Sequence, residues 1–153
     1  MAHAGGTAAR PEHVARGAAR AGRPPEAIDV ASLVPCVVAD TRRDALEQMR
    51  PSVAFYAGYF PRYNRLLAAS GFPDVAAAIK ADWDAGDREA AVRRVPDALI
   101  DAVAIAGTAE QCRERLHRYR EAGLRLPIVS PRVTGAGARR AAMDVIHACA
   151  PAS

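Results

Sequence analysis

Asp101-Ala-Val-Ala-Ile-Ala-Gly-Thr-Ala-Glu-Gln111 and, after a charged helical stretch, Glu121-Ala-Gly-Leu-Arg-Leu-Pro-Ile-Val-Ser-Pro131 decide the fold of this chain. The first apolar run, Val103 to Ala106, stops at Gly107-Thr108; the second, Ile128-Val129, stops at Ser130-Pro131. The residues between them carry helical spacing, so the stretch reads strand, helix, strand, with a crossover long enough for a parallel pair. Thr108 with Gln111 predicts a capping box at the start of the helix. Cys112, Leu116 and Tyr119 predict its inward stripe, with Arg113, Glu114, His117, Arg118 and Arg120 in water, and Ala122-Gly123 supplies a left-handed stop.

The same logic extends upstream. Ile28 to Ala39 is the longest strand candidate, and its second half is continuously apolar, as in a strand buried on both faces. Pro35 removes a ladder donor and demands an edge position or a bulge. Thr41 and Asp44 cap a helix on which Leu46, Met49 and Val53 recur, and Pro51 is expected to kink or split it. Pro61 and Pro73 open further helices closed by Gly71 and Gly86, and Asp87 caps a short piece ended by Pro96. Residues 41–100 thus form a helical excursion, far longer than a plain crossover needs. Pro11 opens a helix ended by Gly22, and a last helix runs from Ala138 to Ala148 with Ala142, Val145, Ile146 and Cys149 as its apolar positions. Residues 1–10 are expected to be a flexible N-terminus, ahead of a domain over 11–150.

Three parallel strands interleaved with helices make an α/β domain. On its own such a sheet has two unprotected edges. It matches the last part of a (β/α)8 TIM barrel, a fold of about 250 residues when complete. A small open α/β sheet is the alternative.

Composition excludes several classes. In 153 residues, half are apolar and a quarter charged, as in a soluble globular protein. No apolar run approaches the roughly 20 residues of a membrane helix. The N-terminal stretch lacks the apolar core of a secretory signal, so a cytoplasmic protein is expected. The net charge of +4 comes almost wholly from arginine, Lys80 being the only lysine, and the basic residues are scattered without interleaved aromatics. That pattern argues against a nucleic-acid partner. Cys36, Cys112 and Cys149 are widely spaced, as are the four histidines, so neither a disulfide framework nor a metal site is expected, and each cysteine reads as a small buried thiol.

Three strand-to-helix junctions carry the candidate chemistry: Ala39-Asp40-Thr41, Gly107-Thr108-Ala109 and Ser130-Pro131-Arg132. Gly107-Thr108 offers backbone N–H groups, a hydroxyl and the positive end of a helix dipole to a cofactor phosphate. The plainer reading is that Thr108 only caps its helix. Arg132 is either a bidentate phosphate ligand or a solvated arginine. Five of the eight aromatic residues cluster at Phe55, Tyr56, Tyr59, Phe60 and Tyr63. Phe55, Tyr56 and Tyr59 are candidates for the wall of a substrate pocket, the alternative being an apolar layer that holds the excursion down. No nucleophile–base grouping or paired carboxylates stand at catalytic spacing, so no catalytic residue is assigned.

Phe55-Tyr-Ala-Gly-Tyr59, Tyr63-Asn-Arg-Leu-Leu67, Ala69-Ser-Gly-Phe72, Val95-Pro-Asp-Ala-Leu99, Ala104-Ile-Ala-Gly-Thr108, Glu121-Ala-Gly123 and Pro127-Ile-Val-Ser-Pro131 occur in this order. Together they resemble the C-terminal half of the bacterial luciferase-like oxidoreductases, in particular the branch with deazaflavin-dependent enzymes. The resemblance implies about the last three strands of a TIM barrel. It also implies FMN or the deazaflavin coenzyme F420 in the barrel mouth, and hydride transfer to or from a small organic substrate or, in the monooxygenase branch, oxygen activation. Much of the family's cofactor machinery lies on earlier strands with no counterpart here, so a truncated domain is expected, either homo-oligomeric or associated with its missing N-terminal half. Gly107, Thr108 and Ser130 would hold the cofactor. The alternative function is a non-catalytic half-barrel that needs a partner chain.

Overall fold

The computed structural model describes residues 11–150. The expected flexible N-terminus, residues 1–10, lies outside the described residues. The elements in chain order are α1 (Pro11–Arg20), β1 (Ala31–Val38), α2 (Arg42–Tyr59), α3 (Pro61–Ala69), α4 (Pro73–Asp84), α5 (Arg88–Arg93), α6 (Asp97–Val103), β2 (Ile105–Gly107), α7 (Ala109–Glu121), β3 (Leu126–Pro131) and α8 (Ala138–Cys149). A short 3-10 turn, Pro25–Ala27, leads into β1.

All three strands are parallel, in the order β2-β1-β3. The parallel pair expected from residues 101–131 does not form. β1 stands between β2 and β3, pairing Cys36 with Ile105 on one side and Leu33 with Ile128 on the other. The reason lies in burial: β1 is the most apolar strand, and the central position gives it two ladders and two covered faces over its C-terminal half. Consecutive barrel strands would lie in the order β1-β2-β3; this order is that of an open, doubly wound sheet.

The central position also explains Pro35. Val30 and Cys36 accept from Leu126 and Arg132 on the β3 side, whereas Ala39 donates to Gly107 on the β2 side. The alternation turns the nitrogen of Pro35 toward β2, but the β2 ladder begins only at Cys36. The missing donor therefore meets no neighbouring strand, and no bulge is needed.

Helices cover both faces. Val37, Ala104 and Ala106 pack under the excursion with Leu46, Met49, Ile79, Leu99 and Ile100. Val34, Cys36 and Ile105 pack under α7 and α8 with Cys112, Leu116, Leu124 and Val145. Each large side chain buried this way contributes about 1.5–3 kcal/mol. The excursion is tied together by Asn64, whose amide nitrogen donates to Ala57 O at 2.9 Å and Ala76 O at 2.7 Å, joining α2, α3 and α4. Arg42 grips Asp101 with two bonds of 2.8 Å, joining α2 to α6.

Two local expectations are corrected. Pro51 neither splits nor ends α2, which runs unbroken over 18 residues. Pro51 is exposed, so the Glu47 carbonyl it frees faces water while Met49, Val53 and Ala54 on the opposite side remain buried. Ile146 does not join the apolar face of α8; it is 51% exposed, and Val145 and Ala148 are the buried positions. The excursion covers only part of its sheet face. Leu33, Leu126 and Ile128 are 56%, 51% and 47% exposed, and the register places all three on the side of Val37.

Candidate functional site

The three parallel strands bring the three predicted junctions to one end of the sheet. Gly107 lies beside Val38 and Pro131 beside Cys36. Gly107-Thr108 and Ser130 are nevertheless separated by the full width of β1, roughly 10 Å for two strand spacings. They do not converge on one group.

At Gly107-Thr108 the capping box is complete. The backbone N–H of Gln111 donates to Thr108 Oγ1 at 3.4 Å, and Thr108 N donates to Gln111 Oε1 at 3.0 Å. Two of the N–H groups that would face an anion are thus occupied by the chain itself. Gly107 is buried, and a Cβ here would stand 2.6 Å from Gln111 Oε1 and displace it from the capping box.

The aromatic residues form one network. Phe55 stacks on Tyr59 at 5.5 Å and meets Trp83 edge-on at 5.7 Å. Tyr56 stacks on Phe60 at 5.5 Å and meets Tyr63 edge-on at 5.2 Å. The network divides the predicted wall residues. Tyr56 and Tyr63 line a cavity of about 270 Å³ on the excursion face of the sheet, floored by Leu33, Pro35 and Met49. Phe55 and Tyr59 turn outward and do not line it.

Arg132 enters this cavity from the C-terminal end of β3. Its guanidinium donates to Tyr56 Oη at 3.4 Å and lies 5.3 Å from the centre of the Tyr56 ring. Its Nε is buried without a hydrogen-bond partner, and among the described residues no carboxylate pairs with it. A guanidinium held against an aromatic face with a donor unspent is built to receive an anion. β1 and β3 are also where the connections diverge, α2–α6 covering one face and α7–α8 the other. Ligands of open α/β sheets bind at such a switch point. Sequence reading undervalued Arg132, since its value depends on Tyr56, which is 76 residues away in the chain.

A larger cavity, about 600 Å³, runs along the free edge of β2 between Arg42, Asp101, Gln111 and Arg115. Its charges are already spent: Arg42 on Asp101 and on Ala106 O at 3.3 Å, Arg115 on Asp101 O at 2.5 Å. It is a gap beside an unpaired strand edge, and the smaller cavity is the better ligand site despite its size.

Residues 1–126 match the family model of the luciferase-like monooxygenases, and the chain belongs to that family of oxidoreductases. A similar solved structure is the coenzyme F420-dependent tetrahydromethanopterin reductase from Methanopyrus kandleri, with a TM-score of 0.73 and 22% sequence identity over 89% of this chain. The chain spans 38% of the length of that reductase. No curated protein matches the sequence. The resemblance read from the ordered motifs is borne out, as is the α/β fold with its parallel sheet. No helix among the described residues is long and apolar enough to cross a membrane.

Proposed function

We propose that this chain forms one wall of the cofactor and substrate site of a luciferase-like oxidoreductase, with Arg132 as the anchor for an anionic group and Tyr56 as its aromatic support. The observation that carries this reading is the buried, unpartnered Nε of Arg132 within an aromatic-lined cavity. The residues suit the anionic and ring-shaped parts of a deazaflavin (coenzyme F420) or of FMN. At about 270 Å³ the cavity falls below the range of about 300–1,000 Å³ usual for a complete small-molecule site. It therefore holds a part of such a cofactor.

The cofactor, when bound, supplies the hydride chemistry, and the protein supplies charge and position. Arg132 neutralises a phosphate or carboxylate. Because Tyr56 Oη accepts from Arg132, its own hydrogen is left to donate to the ligand. Tyr63 braces the Tyr56 ring edge-on and so fixes that donor. The exposed face of Leu33, Leu126 and Ile128 adjoins this site. It is the surface that the remainder of a full-length oxidoreductase, the part of the reductase with no counterpart here, would cover to complete the site and exclude water.

The same uncovered face favours the second reading, a non-catalytic module that pairs with a partner chain. Fluorescence titration with FMN and with F420 separates the two. The oxidoreductase reading expects weak saturable binding, with Kd on the order of 0.1–1 mM for a site with one wall, lost in Arg132→Ala. Identical behaviour of Arg132→Ala and wild type would refute it.

A further inference from the structure

The fold gathers the three widely spaced cysteines into one cluster, independently of the cofactor site. Cys36 comes from β1, Cys112 from α7 and Cys149 from the last turn of α8. Cys36 Sγ and Cys149 Sγ are 3.9 Å apart across 113 residues of sequence. Cys112 Sγ donates to Val37 O at 3.6 Å and Gly107 O at 3.7 Å and adjoins Cys36 as well. All three are free thiols, and among the described residues no group of three or more His, Cys, Asp and Glu is arranged to hold a metal ion.

The three are not equivalent. Cys36 and Cys112 are completely buried, whereas Cys149 is part-exposed where α8 ends. The neighbouring thiols Cys112 and Cys149, together with burial, hold Cys36 in its protonated form. Cys36 and Cys149 share one hydrogen bond, in which either sulfur can be the donor. That bond, and the positive charge of Arg113, hold Cys149 below the usual thiol range, with burial opposing; Cys112 is lowered by its own bond to Cys36 in the same way, so it is exposure that singles out Cys149. A part-exposed cysteine whose thiol is shifted toward the thiolate beside a second thiol is the arrangement of a redox-responsive cysteine and its resolving partner.

We propose that Cys149 reacts with hydroperoxides and that Cys36 resolves the product as an intramolecular disulfide joining the central strand to the C-terminal helix. The Cys149 thiolate attacks one peroxide oxygen; the O–O bond breaks, the sulfur becomes a sulfenic acid, and the released hydroxide takes up a proton to leave as water. Cys36 Sγ then attacks Cys149 Sγ. The S–O bond breaks, the S–S bond forms, and the Cys36 proton leaves with the hydroxyl as a second water. Two thiols and one peroxide thus give one disulfide and two waters. Because Cys149 lies on the final helical turn, its side chain can close the gap without moving the sheet.

The test is oxidation of the chain with equimolar hydrogen peroxide, alkylation of the remaining thiols, and peptide mapping by mass spectrometry. The expected product is a single Cys36–Cys149 cross-linked peptide, with Cys112 alkylated. The melting temperature should rise by about 5–10 °C, and dithiothreitol should reverse both changes. Cys149→Ser abolishes the cross-link, and Cys36→Ala leaves a sulfenic acid at Cys149 that dimedone traps. Should Cys36→Ala fail to fold, brief peroxide treatment of the wild type with dimedone present must label Cys149 and not Cys36. A cross-link through Cys112, one formed only between molecules, or an unmodified Cys149 would overturn the proposal.

Discussion

At the scale of the residue, Arg132 and Gly107 illustrate what a sequence can and cannot disclose. Gly107, Thr108 and Gln111 were legible because a capping box is a local device, spanning four residues of the helix start. Its prediction is correspondingly sharp. Gly107→Ala pushes Gln111 Oε1 away from its bond to Thr108 N and should cost about 0.5–1 kcal/mol in urea denaturation. In a Gln111→Ala background the same substitution should cost less, since Oε1 is gone and only the Cβ of residue 111, 3.1 Å away, still crowds it. Arg132 was not legible in this way. Its loop of Val133, Thr134 and Gly135 announces nothing, and only the pairing of β3 with β1 carries it to Tyr56. The cysteines teach the same lesson. Their spacing in the chain argued for three unrelated buried thiols, and the packing of α7 and α8 on one sheet face brought them together.

At the scale of the element, helix existence was readable throughout the excursion because caps, prolines and glycines punctuate it. Thr41 accepts from Asp44 N at 3.1 Å, Asp87 accepts from Ala90 N at 2.8 Å, and Gly71, Gly86 and Gly123 have positive φ. Strand pairing was not readable, because apolar runs of three to eight residues fix burial and leave the choice of neighbour to the whole molecule. The helix α2 shows tertiary packing overriding local preference. Pro51 is held in its interior because the buried stripe from Ala45 to Ala57 outweighs a penalty of about 3 kcal/mol. Pro51→Ala, on the exposed side, should therefore raise stability by up to about 3 kcal/mol, read as a shift in the denaturation midpoint. The opposite sign is expected at Gly58, where any Cβ would overlap the Trp83 indole. Gly58→Ala should force α2 and α4 apart and cost about 1–3 kcal/mol.

At the scale of the molecule, both faces of the sheet are clothed by helices, but unequally. The side of α7 and α8 is closed, while the excursion leaves Leu33, Leu126 and Ile128 in water beside the Arg132 cavity. An apolar face of this kind drives association unless something covers it. Sedimentation velocity should show concentration-dependent self-association of the chain, relieved by Ile128→Lys, which leaves both cores untouched. One equilibrium measurement tests the Arg132 site most directly: titration of FMN and coenzyme F420 with the wild-type chain, Arg132→Ala and Arg120→Ala, followed by cofactor fluorescence. Saturable binding by wild type and by Arg120→Ala, weakened at least about tenfold, or about 1.4 kcal/mol, in Arg132→Ala, is the predicted result. Equal binding by all three, or none by the wild type, would contradict it.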